Sequence, residues 1–159
     1  MSRLGGKVAI ILGASDERSM GAATAMRFAA EGAKVVVAAR RLDKLEPIAA
    51  RCGGLAVACD IRNEADLANL AQAAKKAFGR LDVAVNFAGV SMQAPLAEVT
   101  REMLVESCEV HLIGSALFFK HMGAVMADGG SMMTTSTLTA LTAPPGLAAY
   151  AGAKRGVDQ

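Results

Sequence analysis

Between Lys7 and Gly32 the apolar run Val8-Ala9-Ile10-Ile11-Leu12 ends at Gly13, and a helical pattern takes over near Gly21. Consecutive apolar residues bounded by glycine predict a strand buried on both faces of a parallel sheet. Ala22, Ala25, Met26 and Ala29 fall at i, i+3, i+4 and i+7, which predicts a helix with one apolar face. Gly32 stops that helix, and a second apolar strand, Val35 to Ala39, completes a βαβ unit of the size that binds nucleotides. Gly13 allows a tight turn under a pyrophosphate, while Gly21 lets the helix begin close to it, where free N–H groups favour negative charge. The predicted ligand is therefore a dinucleotide. The stretch Ala14 to Met20 is longer than the turn of a G-x-G-x-x-G motif and lacks its middle glycine. Ser15 and Ser19 stand where hydroxyls can replace some of the lost phosphate contacts.

The rest of the chain repeats the alternation. After Arg40-Arg41 a helix carries Leu42, Leu45, Ala49 and Cys52 on its apolar face, with Pro47 read as near its start, where proline is tolerated. It ends at Gly53-Gly54, and a third strand, Leu55 to Cys59, runs into Asp60-Ile61. Asn63 caps a helix bearing Leu67, Leu70, Ala71, Ala74 and Phe78, which Gly79 closes. A fourth strand, Leu81 to Val85, leads into Asn86-Phe87-Ala88-Gly89 and a loop with Pro95. Thr100 caps a long helix over 101–126, and Gly129-Gly130 precedes a fifth strand over 131–135. Strands alternating with helices through right-handed crossovers predict an α/β, Rossmann-like, doubly wound parallel sheet with helices on both faces. At 159 residues the chain is one domain, 1–159, long enough to bury roughly 70% of its unfolded surface. Ligands of such a sheet bind at the carboxyl ends of the strands. Those ends are the Gly13 turn, Ala39-Arg40, Asp60-Ile61, Asn86 to Gly89, and Ser136-Thr137.

Composition excludes several classes. With 53% hydrophobic and 20% charged residues the chain is not disordered, and no run approaches the roughly 18 apolar residues of a membrane span. Residues 1–7 offer no apolar signal core, so a cytoplasmic protein is expected. The net charge of +2 is interspersed, and one Tyr and five Phe give few stacking platforms, so no nucleic-acid partner is expected. Cys52, Cys59 and Cys108 lack C-x-x-C spacing and are expected to be reduced core thiols. His111 and His121 have no companion carboxylates at ligand spacing, so no metal is expected.

Tyr150 and Lys154 stand at i and i+4, a phenol and an ammonium on one helical face that can act on one ligand. A cation beside a phenol favours the phenolate and so eases proton exchange. Tyr150 is the only tyrosine, which makes it the candidate proton donor. With these residues in place the chain resembles the short-chain dehydrogenase/reductase family over essentially its whole length. Tyr150 and Lys154 match that family's Y-x-x-x-K pair, Asn86-Phe87-Ala88-Gly89 resembles its N-N-A-G turn, and Asp60 matches the acidic residue at the adenine ring. Counted back without gaps from Tyr150, the family's catalytic serine position falls on Thr137, with Ser136 beside it. A threonine hydroxyl can still bond a substrate oxygen.

The resemblance implies hydride transfer between a nicotinamide and a small carbonyl or alcohol substrate, with Tyr150 passing the proton. Lys154 is then expected to bind the nicotinamide ribose and assist Tyr150, and Thr137 or Ser136 to orient the reacting oxygen. The implied cofactor site comprises Gly13, Ser15, Arg18, Ser19, Gly21, Arg40, Asp60, Ile61, Asn86, Ala88 and Gly89, together with Tyr150 and Lys154. Arg40 and Arg41 follow Ala39 where NAD-dependent relatives of this fold carry a carboxylate. This substitution favours NADP(H) over NAD(H), with Arg40 as the main ligand of the 2′-phosphate and Arg18 as a second cation.

The chain departs from the family pattern in three places. The stretch Gly13 to Gly21 looks like the divergent enoyl-reductase branch, whereas the Tyr150 to Lys154 spacing favours the carbonyl-reducing branch. His111-Leu112-Ile113-Gly114 stands where the family commonly has N-x-x-G, whose asparagine helps hold a relay water. Histidine can also bind water, so His111 joins the candidate catalytic residues. The sequence stops at Gln159, where family members continue, so it is expected to be a fragment whose fifth strand is an unpaired apolar edge. The long helix carries Met103, Leu104, Leu112, Leu117, Phe118, Phe119, Met122 and Met126, more than one sheet face covers, and the resemblance implies a homodimer or homotetramer built on it. A catalytically impaired nucleotide-binding or scaffolding domain of the same fold is the alternative function.

Overall fold

The computed structural model describes residues 2–142 and 144–159. Its centre is β1 (Val8–Leu12), buried along its whole length. Parallel neighbours flank it: β2 (Lys34–Ala39) on one side and β4 (Val83–Asn86) on the other. β3 (Leu55–Ala58) extends the sheet beyond β2, and β5 (Ser131–Thr134) extends it beyond β4. The spatial order is therefore β3-β2-β1-β4-β5. The strand order reverses at β1, which opens a crevice between β1 and β4 at their carboxyl ends.

The period of two along each strand divides the core into two layers. Ala9, Ile11, Val35 and Val37 face α1 (Met20–Ala30) and α2 (Leu42–Cys52), packing with Ala22, Ala25, Leu45 and Ile48. Val8, Ile10, Leu12 and Val36 face the opposite side, against Leu67, Leu70 and Ala74 of α3 (Glu64–Phe78) and Phe118 and Met122 of α5 (Gly114–Gly123). Asp82 fastens the amino end of the sheet. It is only 4% exposed and accepts hydrogen bonds from Val8 N at 3.0 Å, Arg80 Nη2 at 2.6 Å and Lys7 Nζ at 3.3 Å. Burial works to raise its carboxyl, and the hydrogen bonds outweigh burial and hold it below the usual carboxylate range.

Several local expectations change. Pro47 is the sixth residue of α2 and not an early one, so α2 forgoes one backbone hydrogen bond, at Asp43 O, and the buried Leu45, Ile48 and Ala49 hold it in place. Leu42 is 42% exposed, and Ile48 takes the place assigned to it on the buried face. The fourth strand lies two residues later than its apolar run suggests at the start and includes Asn86, because Phe87 N still reaches Leu12 O at 2.8 Å. Of the cysteines only Cys59 is buried, and burial pushes its thiol up to about 12. Cys52 and Cys108 are half-buried.

The long helix is not uniform. α4 (Arg101–Ser107), capped by Thr100, passes through a π-helical segment, Cys108–Ile113, before α5 resumes. It ends at Gly123, short of Met126. A short α6 (Thr139–Thr142), which no sequence pattern announces, precedes α7 (Ala148–Val157). β5 lies at the sheet edge with Met132 40% and Met133 43% exposed. Among the described residues no helix is long and apolar enough to cross a membrane.

Candidate active site at the carboxyl ends of the strands

Gly13 makes the site possible. Its φ of +92° is in the left-handed region, and a Cβ there would lie 2.6 Å from Phe87 C and 2.7 Å from Ala88 N. Only glycine lets the turn after β1 pass this close to the turn after β4. Between the two turns opens a cleft of about 200 Å³. Gly13, Ser15, Asp16 and Ser19 line its first side, Ala39 to Arg41 and Cys59 to Arg62 its far end, and Phe87 to Val90 with Glu106 and Val110 the wall opposite.

The side chains in this cleft are already engaged. Ser19 is the N-cap of α1: its Oγ accepts from Ala22 N at 3.1 Å and donates to Asp16 O at 2.6 Å. Ser15 Oγ accepts from Arg41 Nη2 at 3.4 Å, which draws the arginine across from β2 to the glycine turn. Asp60 and Arg62 form a forked pair, with Nη2 to Oδ2 at 2.6 Å and Nε to Oδ1 at 3.0 Å. Those bonds hold the Asp60 carboxyl below its ordinary range, and the Arg40 charge adds to the effect. Asn86, 1% exposed, shapes the β4 turn from beneath: its Oδ1 accepts from Ala88 N at 2.9 Å and its Nδ2 donates to Ser115 Oγ at 3.1 Å.

Beyond the cleft wall, α7 presents Tyr150 and Lys154 one turn apart. Lys154 is 4% exposed and donates from Nζ to Thr135 O at 2.6 Å, at the carboxyl end of β5. Burial pushes its ammonium down in pKa, opposed by Asp158. Tyr150 is half-buried and meets the His111 ring edge to face, with centroids 5.1 Å apart. Thr137 Oγ1 lies 3.1 Å from Thr139 Oγ1 and accepts from Thr139 N at 3.3 Å, at the start of α6, which packs on α7. Ser136 is exposed.

The cleft thus brings together Gly13, Ser15, Ser19, Arg40, Asp60, Ile61, Ala88 and Gly89. Arg18, Gly21 and Asn86 do not line it: Gly21 lies under the turn and Asn86 acts through the backbone of Ala88. Arg62 goes unnoticed in sequence reasoning, although Asp60 followed two residues later by Arg62 is a recognisable side-chain turn, with Arg62 N donating to Asp60 Oδ1 at 3.0 Å. A dinucleotide fits this arrangement. The turn closes on β4 as only glycine allows, the capped start of α1 faces the cleft, and cations line its far end.

Comparison with known proteins agrees with this geometry. A family model described as enoyl-(acyl carrier protein) reductase matches residues 13–159. The chain is 35% identical over 160 residues to an uncharacterized oxidoreductase of Methylorubrum extorquens, covering 97% of this chain and 64% of that protein. It is 33% identical over 162 residues to a D-threitol dehydrogenase of Mycolicibacterium smegmatis, covering 98% and 62% respectively. A crystal structure of a dehydrogenase/reductase from Sinorhizobium meliloti superposes with a TM-score of 0.89 at 28% identity, covering 97% of this chain and 63% of that one. The chain belongs to the short-chain dehydrogenase/reductase family. It spans between 62% and 64% of the length of these two relatives.

Proposed function

We propose that the protein is an NAD(P)-dependent oxidoreductase that interconverts a carbonyl and an alcohol on a small molecule, with Tyr150 as proton donor and acceptor. The observation that carries this reading is the pair on α7, in which Lys154 Nζ is held by Thr135 O and Tyr150 stands one turn before it. When bound, the reduced nicotinamide supplies the hydride to the carbonyl carbon. The chain's own part is to bind, orient and transfer the proton. The phenolic O–H of Tyr150 gives its proton to the carbonyl oxygen as the alkoxide forms, and Lys154 stands on the same helical face, one turn on, where it can contact the same ligand. The decisive experiment follows oxidation of reduced cofactor over a panel of ketones and aldehydes, alongside cofactor binding. Binding without turnover on any of them would favour the scaffolding alternative.

Thr137 is the hydroxyl we assign to the reacting oxygen. Its Oγ1 is fixed by Thr139, whereas Ser136 is exposed, and a preorganised hydroxyl contributes more to a transition state than a mobile one. Thr137→Ala is expected to lower kcat by about tenfold or more, with Ser136→Ala close to unmodified; steady-state kinetics on both variants would move the role to Ser136 if the order is reversed.

The cofactor preference we assign is NADP(H), through Arg40, and the setting is the reducing cytoplasm that suits three free cysteines. The helix from α4 to α5 leaves Leu104, Val105, Leu112 and Ile113 between 37% and 50% exposed, a surface we assign to a homodimer or homotetramer. Light scattering on the protein should give a multiple of the chain mass; a monomer at micromolar concentration would end that assignment.

A further inference from the structure

His111 is 1% exposed, and its two ring nitrogens differ in what they meet. Nε2 lies 2.7 Å from Val90 O and 3.4 Å from Val90 N; a carbonyl oxygen cannot donate, so the shorter contact assigns the proton to Nε2, which donates to Val90 O. Nδ1 is then the unprotonated acceptor, and it is buried without a hydrogen-bond partner among the described residues. An apolar side chain of similar size would fill the same space with no stranded acceptor, so core packing alone is a poor account of this residue. Two further features hold the ring where it is. A Cβ at Gly89 would stand 3.0 Å from His111 Cε1, so the imidazole is in close contact with this turn and a larger residue at 89 would press on it. The π-helical segment Cys108–Ile113 carries the ring, and just before it Ser107 Oγ donates to Ala149 O at 3.0 Å, fixing this helix to α7 one residue before Tyr150.

The imidazole therefore touches both halves of the site. One edge is tied to Val90, which lines the cleft, and the ring packs edge to face with Tyr150, at 83° between planes. We propose that His111 is a positioning residue: as a neutral imidazole pinned to Val90, it sets the Tyr150 ring at a fixed place relative to the cleft wall. This inference rests on the reading of Tyr150 as proton donor. A half-buried phenol on a helix face has a broad torsion at its ring, and a displacement of about 1 Å at a reacting group costs on the order of 10²-fold in rate. A ring packed at right angles removes that freedom. Only the neutral form suits the place. Tyr150 and Lys154 of α7 face the imidazole, the Gly89–Val90 turn brings no charge, and Cys108 and Glu109 precede it on its own helix. Burial and then the Lys154 charge disfavour a proton on it, against the Val90 hydrogen bond.

The chain has one tyrosine and no tryptophan, so its ultraviolet fluorescence reports Tyr150 alone, whether or not the enzyme turns over. In an acid titration of the protein, the emission should show a step as His111 gains a proton, at a pH below that of an ordinary histidine. The step should vanish in His111→Phe and His111→Gln and survive in His121→Gln, with circular dichroism confirming that each variant is folded at the pH of the step. In turnover assays His111→Gln, which keeps an N–H for Val90 but loses the ring, should lower kcat by about 10- to 100-fold with cofactor affinity unchanged. A step that persists in both His111 variants, or no step before unfolding of the unmodified protein, overturns the proposal. If the step behaves as expected but Tyr150→Phe retains full activity, the His111 contact stands and the role of Tyr150 as proton donor fails.

Discussion

Tyr150→Phe is expected to lower carbonyl reduction by about 10²- to 10⁴-fold, the range over which a positioned proton donor contributes, while cofactor affinity stays nearly unchanged. The reason is separation of roles. The cleft proposed for the dinucleotide is lined by the strand ends and their turns together with Glu106 and Val110, and Tyr150 is not among its lining residues. Removing its hydroxyl leaves the ring, so the edge-to-face contact with His111 at 5.1 Å remains and α7 keeps its packing. Lys154 also stays tied to Thr135 O. The loss should therefore fall on kcat, with the KM of the cofactor little altered. Steady-state kinetics with the most active carbonyl, together with a cofactor titration, measure both halves. Retained turnover would remove Tyr150 from the proton-transfer role, and a parallel loss of cofactor binding would show that the hydroxyl also holds the cofactor, so that the two roles are not separate.

How much of this was legible in the sequence depends on the range of the interaction. Val8 to Leu12 reads as a buried strand because burial on both faces leaves no room for polar residues, and the strand has those bounds. Asn63 and Thr100 read as caps because a cap is a contact within three residues, and both accept from the backbone as expected, Ala65 N at 3.0 Å and Met103 N at 3.3 Å. The candidate cofactor residues follow from topology, since every parallel strand ends on the same side of the sheet. What was not legible is either non-local or a local compromise. The meeting of His111 with Tyr150 joins two helices far apart in sequence. The π-helical segment at Cys108–Ile113 departs from the regular helix period while its residues still look helical. The spacing of Ser19 also suits a phosphate contact, and its hydroxyl closes the first turn of α1. A side chain at a helix start can serve the cap or a ligand, and spacing alone does not say which.

Arg40→Ala is expected to weaken NADP(H) binding by about 10- to 100-fold, the worth of a charge-assisted hydrogen-bond pair, and to leave NAD(H) binding little changed. Charge in the far end of the cleft is the ground for this. Ala39 closes β2 without the carboxylate that would accept a ribose 2′-hydroxyl and repel a 2′-phosphate, and Arg40, Arg41 and Arg62 all line the cleft there. Three of the neighbouring carboxylates are committed to other cations. Glu17 pairs with Arg51 at 3.6 Å, Asp43 with Lys44 at 3.8 Å and Asp60 with Arg62 at 2.6 Å. Among the described residues no carboxylate pairs with Arg40 or Arg41, so a doubly ionised phosphate entering this end meets two guanidiniums with no ion pair to break, against the charges of Asp16 and Glu106 on the other walls of the cleft. Arg41 already donates to Ser15 Oγ, which makes it the more constrained of the two, so Arg41→Ala should cost NADP(H) less than Arg40→Ala does. Both exposed guanidiniums act through water and salt, so the NADP(H) advantage should shrink as ionic strength rises. Titrations of the unmodified protein and both variants with each cofactor, at low and high salt, test the assignment. Tighter NAD(H) binding by the unmodified protein would overturn it, and a larger loss in Arg41→Ala than in Arg40→Ala would transfer the role to Arg41.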